Sequence, residues 1–332
     1  MNEPEQRGPS LVVTGASGFL GVELVKQALA GGRRVVALCH PGSEGELPAH
    51  AGLEVHEVDI RDEAGLEAAV PPKPAGIIHC ASNTSLWRRN GGEQMRVNVR
   101  GTRAVARLAC ERRTRLVHVS CALTYGQHGG IISADTPRLG RNSAIAYMRS
   151  KAVAETEVER AMRAGLDAVV LHPAFMLGAG DRKGWSRMVS LVAQRRLPGV
   201  PPGGASFCDV RSVASAALAS LDPEIPTASR WLIGGVNTSY AGLAREIGSQ
   251  LGHRRFLRPV RPGILQAYAR VEEAVAPLLG REPEVTFEAV ALLSGNIYCE
   301  GQEAERRFGL LPPSLEAMVG ECIAWMRDSG RL

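Results

Sequence analysis

The chain has 332 residues, 45% hydrophobic and 22% charged, with a formal net charge of +5. This is enough chain for a large core, with an ordinary soluble composition, and reads as one α/β domain plus a second, smaller lobe. The Lys and Arg excess is spread along the chain, with Arg-Arg pairs at 33-34, 88-89, 112-113, 195-196, 254-255 and 306-307 and no aromatic-basic cluster, which argues against a nucleic-acid partner.

Residues 1–9 are polar and acidic, without an apolar core, and read as a disordered leader rather than a signal peptide. No apolar run approaches membrane-spanning length, so no membrane partner is expected. The cysteines, Cys39, Cys80, Cys110, Cys121, Cys208, Cys299 and Cys322, are odd in number and include no C-x-x-C pair, which points to free thiols in a reducing, cytoplasmic setting and to no metal site.

The first ordered stretch is Leu11 to Gly21. Leu11, Val12 and Val13 form a buried strand, and Val22, Leu24, Val25 and Leu29 stand at helical spacing before Gly31-Gly32. Between them Gly15 allows a sharp turn, Gly18 lets backbone N–H groups approach a diphosphate, and Gly21 lets the helix pack close to the strand. Strand, turn and helix in this order predict a dinucleotide site, with Ser17, Phe19 and Leu20 counted in it.

Arg34 to Cys39 is the second strand. Its end meets the adenosine ribose in such a fold, where an Asp or Glu takes the 2′-hydroxyl of NAD. Here stand Cys39 and His40, and the first acid is Glu44, so a 2′-phosphate is not repelled and His40 can approach it; NADP(H) is favoured over NAD(H). Leu53 to Asp59 is the third strand, and Asp59 is either a loop or capping carboxylate or an acceptor for the adenine amino group. A helix over Glu63 to Val70 follows, then a Pro-rich break and a fourth strand, Gly76 to Ala81, whose end, Cys80, Ala81 and Ser82, suits close passage beneath a cofactor.

Asn83 to Gly92, with Trp87, is a polar loop that could serve as a substrate flap. The helix Glu93 to Arg112 carries Asn98 and Thr102, and the fifth strand, Leu116 to Cys121, runs into Ala122 to Gly126 and a long loop through Arg141. The helix from Ala146 to Ala164 places Tyr147 and Lys151 four apart on one face. With 5 Tyr and 4 Lys in the chain, such a pair is expected by chance roughly 0.06 times. Asp167 to Leu171 is the sixth strand, followed by His172 to Phe175 and a helix from Trp185 to Arg196. Pro198 to Gly204 reads as a linker, Phe207 to Leu221 as a strand end and helix, and Arg230 to Gly234 as a last short strand. From Asn237 onward the chain reads as helix and loop: Tyr240 to Leu251, Pro262 to Leu279, and a terminal helix capped by Ser314.

Taken together, Thr14-Gly15-x-x-Gly18-x-x-Gly21, Asp59-Ile60-Arg61-Asp62, His79-Cys80-Ala81, Asn98-Val99-x-Gly101-Thr102, Tyr147-x-x-x-Lys151 and His172-Pro173-Ala174 resemble, in family order, an extended short-chain dehydrogenase/reductase of the NAD-dependent epimerase/dehydratase family. Leu86-Trp87, Gly178 to Asp181 and Gly280 to Pro283 are similar to its dihydroflavonol-reductase-like branch, which includes relatives of hopanoid-associated sugar epimerases.

The resemblance implies an α/β fold, a Rossmann-type doubly wound parallel sheet of seven strands with a smaller, mostly helical C-terminal substrate lobe. Residues 10–180, joined by 206–235, would form the dinucleotide-binding domain, and 181–205 with 236–332 the lobe. It further implies Tyr147 as acid/base, a Lys151 ammonium that lowers the phenol pKa and holds the nicotinamide ribose, Asp59 and Ile60 flanking the adenine, Asn98 steadying the lysine side, and Pro173 with Phe175 shaping the carboxamide pocket. The partner would be a small-molecule carbonyl or alcohol; a homodimer is compatible with the family.

One position departs from the family. Cys121 stands where Ser or Thr usually polarises the substrate oxygen, and a thiol is the weaker donor. Cys121 does this work less well, or Ser120, Thr124 or a water does it, or Cys121 is a small buried residue in a protein that has left carbonyl reduction. Covalent catalysis by Cys121 would need a base, with His79, His118 and Lys151 in reach by topology. Asn83, Trp87 and Thr124 are the substrate-side candidates. The main reading is an NADP(H)-preferring carbonyl oxidoreductase on a small or medium specialised metabolite; the alternatives are a sugar-nucleotide epimerase or dehydratase with tightly held NAD, and a non-catalytic dinucleotide-binding protein.

Overall fold

A computed structural model describes residues 8–43, 46–197, 199–253 and 258–332. Most of the expected leader, together with Glu44, Pro198 and the 254-255 arginine pair, lies outside the described residues.

The strands are β1 (Leu11–Thr14), β2 (Val35–Cys39), β3 (Leu53–Glu57), β4 (Gly76–His79), β5 (Leu116–Val119), β6 (Ile131–Ile132), β7 (Ala168–Pro173), β8 (Phe175–Leu177), β9 (Gly204–Asp209), β10 (Arg230–Ile233), β11 (Val236–Ser239) and β12 (Asn296–Cys299). The helices are α1 (Phe19–Ala30), α2 (Glu63–Ala69), α3 (Gly91–Met95), α4 (Thr102–Glu111), α5 (Ala146–Arg163), α6 (Ser186–Ala193), α7 (Val210–Ala219), α8 (Tyr240–Gln250), α9 (Pro262–Val275), α10 (Phe287–Leu293), α11 (Gln302–Phe308) and α12 (Leu315–Asp328).

Seven strands form one sheet in the order β10-β7-β5-β4-β1-β2-β3, and every pairing in it is parallel. The near-continuous apolar runs of its central strands follow from cover on both faces. Leu11 and Val13 of β1 pack with Leu20 and Leu24 of α1 and Val213 of α7, whereas Val12 points to the other side, with Leu66 of α2, Val105 and Leu108 of α4 and Val158 of α5. The winding reverses between β1 and β4, and the crevice beyond their carboxyl ends is where an open α/β sheet takes its ligand.

A second sheet, of five strands in the order β11-β9-β12-β6 with β8 beside β9, corrects the sequence reading. The expected linker runs directly into β9, the long loop before Arg141 contains β6, and the part expected to be helix and loop after Asn237 contributes β11 and β12. Gly204 starts β9 because a Cβ there would lie 2.2 Å from the Tyr298 hydroxyl, so a glycine that suggested a linker instead serves close strand packing. The helix expected over Glu93 to Arg112 is present as α3 and α4 joined through a π-helical turn, Arg96–Gly101.

Candidate active site

The glycine turn follows β1. Gly15 has φ +69°, and a Cβ on it would stand 2.6 Å from the Ala81 Cα; a Cβ on Gly21 would stand 2.1 Å from the Gly15 carbonyl oxygen. The Gly18 N–H donates to that same oxygen at 2.9 Å. Gly18 is the N-cap of α1, Phe19 and Leu20 are its first two residues, and its first turn holds neither an acid nor a side-chain cap. The free N–H groups and positive helix end fit a diphosphate, so these residues fit a dinucleotide.

At the adenosine end, the Ser17 and Ser43 hydroxyls share a hydrogen bond of 2.7 Å. The exposed His40 imidazole stands 4.0 Å from the Asp59 carboxylate. Arg61 holds that carboxylate from two nitrogens and reaches Glu93 as well. The Arg61 hydrogen bond keeps Asp59 below the usual carboxylate range. Ile60 packs on the π turn, where a Cβ on Gly101 would lie 2.3 Å from the Ile60 Cδ1.

Beneath the crevice, the fully buried His79 joins the Thr14 hydroxyl at 2.7 Å and the Thr102 hydroxyl at 2.9 Å, tying β1, β4 and α4 together. Burial pushes His79 down to about 3, so it is neutral. The Cys80 thiol donates to the Thr14 carbonyl at 2.9 Å, and burial pushes it up to about 12. Ala81 lies against Gly15, and the Ser82 hydroxyl donates to the Asn98 side-chain oxygen at 3.2 Å.

Asn98 organises the neighbouring loop. Its oxygen accepts the Asn83 N–H at 2.7 Å, and its amide donates to the Asn83 carbonyl at 3.0 Å and to the Ser150 hydroxyl at 2.9 Å. Ser150 in turn donates to the Tyr147 carbonyl at 2.8 Å. A π turn at this asparagine fits the frequency of such turns at functional sites. Ser150, which links Asn98 to the tyrosine helix, was not singled out from the sequence; its one available signal was its place between Tyr147 and Lys151.

Tyr147 and Lys151 lie in the first two turns of α5, and both reach the end of β5. The Tyr147 phenol and the Cys121 thiol lie near enough for each to shift the other's proton affinity, while the Lys151 ammonium donates to the Val119 carbonyl at 3.0 Å. The sequence expectation was that Lys151 lowers the tyrosine pKa. In the structure burial, reinforced by Cys121, pushes the phenol well above its ordinary value, and the ammonium is turned onto a backbone carbonyl. Burial lowers Lys151 and raises Cys121.

The alternatives to Cys121 are turned elsewhere. Buried Ser120 donates to Glu155 at 3.0 Å, and buried Thr124 donates to the Cys121 carbonyl at 3.0 Å, so neither hydroxyl is directed to Tyr147. As for covalent chemistry, burial raises the Cys121 thiol against the opposing effect of Lys151, and it makes both His79 and His118 weaker bases. Among the described residues, both His118 ring nitrogens are buried without a partner.

Pro173 ends β7, paired with Ile233. The half-buried Phe175 ring meets Trp185 edge-on at 5.5 Å. On the substrate side, Trp87, Arg88 and Arg89 face Glu273 and Ala274 of α9 across a cleft of about 460 Å3. The C-terminal part fastens this loop, with the Thr286 hydroxyl donating to the Leu86 carbonyl at 2.6 Å. It also holds the tyrosine helix: the buried Glu288 carboxylate accepts the Ala146 N–H at 3.1 Å, at a helix start with no side-chain cap from Ile145. Glu288 was not foreseen from the sequence.

A family model described as NAD dependent epimerase/dehydratase matches residues 11–234. The chain belongs to that family. Within it, the chain is 27% identical over 328 residues to a putative dihydroflavonol 4-reductase of Synechocystis, covering 96% of this chain and 94% of that one. It is 26% identical to a decarboxylating sterol-4-alpha-carboxylate 3-dehydrogenase of Saccharomyces cerevisiae, covering 96% and 98% of the two chains. The crystal structure of gox2253 superposes with a TM-score of 0.83 at 26% identity over 98% of this chain and 100% of that one. The chain is therefore an enzyme, an NAD(P)-dependent short-chain dehydrogenase/reductase of the extended type.

Proposed function

We propose that this family member interconverts a ketone or aldehyde and its alcohol on a medium-sized specialised metabolite, with Tyr147 as the acid/base and NADP(H) preferred. The carrying observation is the meeting of Tyr147 and Cys121 at the carboxyl end of β5, with the Lys151 amine anchored two residues earlier. When bound, the nicotinamide supplies hydride to the carbonyl carbon or takes it from the alcohol.

The chain's own residues do the rest. The Tyr147 phenol is protonated at neutral pH and supplies the proton for a carbonyl oxygen, although burial makes it a weaker acid than a free phenol. Cys121, beside that phenol, offers the substrate oxygen a weak second donor. Lys151 holds the ribose side, and the Asn98–Ser150 link fixes the turn of α5 from which Tyr147 projects. Asn83 and Trp87 border the substrate, which enters along the cleft facing α9. The C-terminal part acts as the substrate lobe, and the relatives' names, a reductase and a sterol dehydrogenase, agree with a carbonyl or alcohol on a largely apolar body.

The preference for NADP(H) is supported by the end of β2, where Cys39, His40 and the hydroxyls of Ser17 and Ser43 stand and where the neighbouring Asp59 carboxylate is held by Arg61. Single-turnover absorbance at the reduced-nicotinamide band tests the reading. Loss of the band with at least one member of a panel of apolar ketones and aldehydes is expected. Retention of the band across the whole panel, with the cofactor still bound, would overturn it.

A further inference from the structure

Eleven large hydrophobic residues are exposed among the described residues, and six of them, Ile264, Tyr268, Val271, Val275, Leu278 and Leu279, fall within 264–279. The others are scattered singly, as on any soluble protein. These six are not scattered: positions 264, 268, 271 and 275 lie at i, i+4, i+7 and i+11 of α9, and the last two continue the face through the 3-10 turn Ala276–Leu279. Leu278 is 84% and Leu279 65% exposed. The helix is held to the protein by a different stripe, Ala269, Glu272 and Ala276, through its packing on α10.

The charges of this segment are sorted. Over 258–281 the exposed ones are all cationic, Arg258, Arg261, Arg270 and Arg281, while both acids are turned to the protein. Glu272 is buried and takes Arg281 and the Glu284 N–H, and Glu273 accepts the Phe287 N–H at 3.0 Å. Arg270 lies over the Phe287 ring and Arg281 is held by Glu272, which leaves Arg258 and Arg261 at the N-terminal end of the apolar face; such a face with a cationic end complements an anionic, apolar-cored surface.

We propose that α9 docks the enzyme onto an anionic lipid bilayer, lying in the interface with its apolar face among the acyl chains and its arginines at the headgroups. No helix of the described residues is long and apolar enough to cross a membrane, and an interfacial helix needs no such length. The face adjoins the site: Ala274, beside Val275 on the same helix, lines the cleft with Trp87. Docking therefore brings the cleft mouth to the bilayer. This goes beyond the proposed carbonyl chemistry, and its test reads binding rather than turnover.

Flotation of the full chain with vesicles of phosphatidylcholine, alone or mixed with phosphatidylglycerol, measures the docking. The wild type should float with the phosphatidylglycerol vesicles, less so as salt is raised. The triple variant Val271→Glu, Leu278→Glu, Leu279→Glu should lose binding by about tenfold or more, while Leu311→Glu, on the exposed chain between α11 and α12, should float like the wild type. Unchanged dinucleotide binding by each variant checks the fold. A wild type that stays unbound, or a triple variant that floats equally well, overturns the proposal. So does a salt-insensitive dimer in sedimentation velocity that the triple substitution dissociates, since the face would then belong to a second copy.

Discussion

Cys121 and Tyr147 influence each other's proton affinity at the carboxyl end of β5, so the residue that departs from the family pattern stands beside the proposed acid. Its thiol is the weaker donor, and no hydroxyl nearby replaces it, because Ser120 and Thr124 are committed to Glu155 and to the Cys121 carbonyl. Cys121→Ser should raise the single-turnover rate of carbonyl reduction by about tenfold, the worth of one net hydrogen bond. Cys121→Ala should stay within about threefold of the wild type. A serine variant slower than the wild type would mean that the thiol does more than donate weakly.

Glu288 caps the helix of Tyr147 from the far end of the chain. Glu288→Ala should cost about 1 kcal/mol of stability and lower kcat with little change in cofactor affinity, because the first turn of α5 loses a side-chain acceptor. Glu288→Gln keeps an acceptor and should recover most of kcat. Equal losses in both variants would show that charge, not capping, is the working property.

The proposed preference for NADP(H) rests on the end of β2. His40→Asp puts a carboxylate where a 2′-phosphate would lie, and should raise the KM for NADPH relative to NADH by about tenfold or more. An unchanged ratio in steady-state kinetics would place the 2′-phosphate elsewhere.

Three buried histidines predict an acid-sensitive fold. Burial pushes His79 and His172 down to about 3 and lowers His118 well below its ordinary value. Below about pH 6.5 the unfolded chain takes up protons that the folded chain refuses until about pH 3, so stability is full above that upper bound and falls as pH drops, by up to about 1.4 kcal/mol per pH unit for each ring. Thermal melts at roughly pH 7 and 5 should show the loss. His118→Leu, which removes two buried ring nitrogens without a hydrogen-bond partner among the described residues, should raise Tm and flatten the profile. A variant as acid-sensitive as the wild type would contradict this.

The main sheet was legible because each central strand is an apolar run covered on both faces, and the glycine turn because its spacing serves one backbone path. Tyr147 and Lys151 were legible as an i, i+4 pair. The second sheet was not, since β6 has two residues and β9 follows a proline-glycine stretch that in isolation signals a break. Glu288 and the exposed face of α9 were hidden for another reason: the first matters through a contact 142 residues away. The second matters through what the fold leaves uncovered, and periodicity alone cannot say which side of an apolar helix faces inward.

The central claim is that Tyr147 moves the proton. Tyr147→Phe removes one oxygen from a side chain that otherwise keeps its packing, and NADPH binding, followed by fluorescence, should hold within about threefold of the wild type. The single-turnover rate of carbonyl reduction should fall by at least about a hundredfold. A phenylalanine variant that reduces the same carbonyl at near wild-type rate would contradict the account.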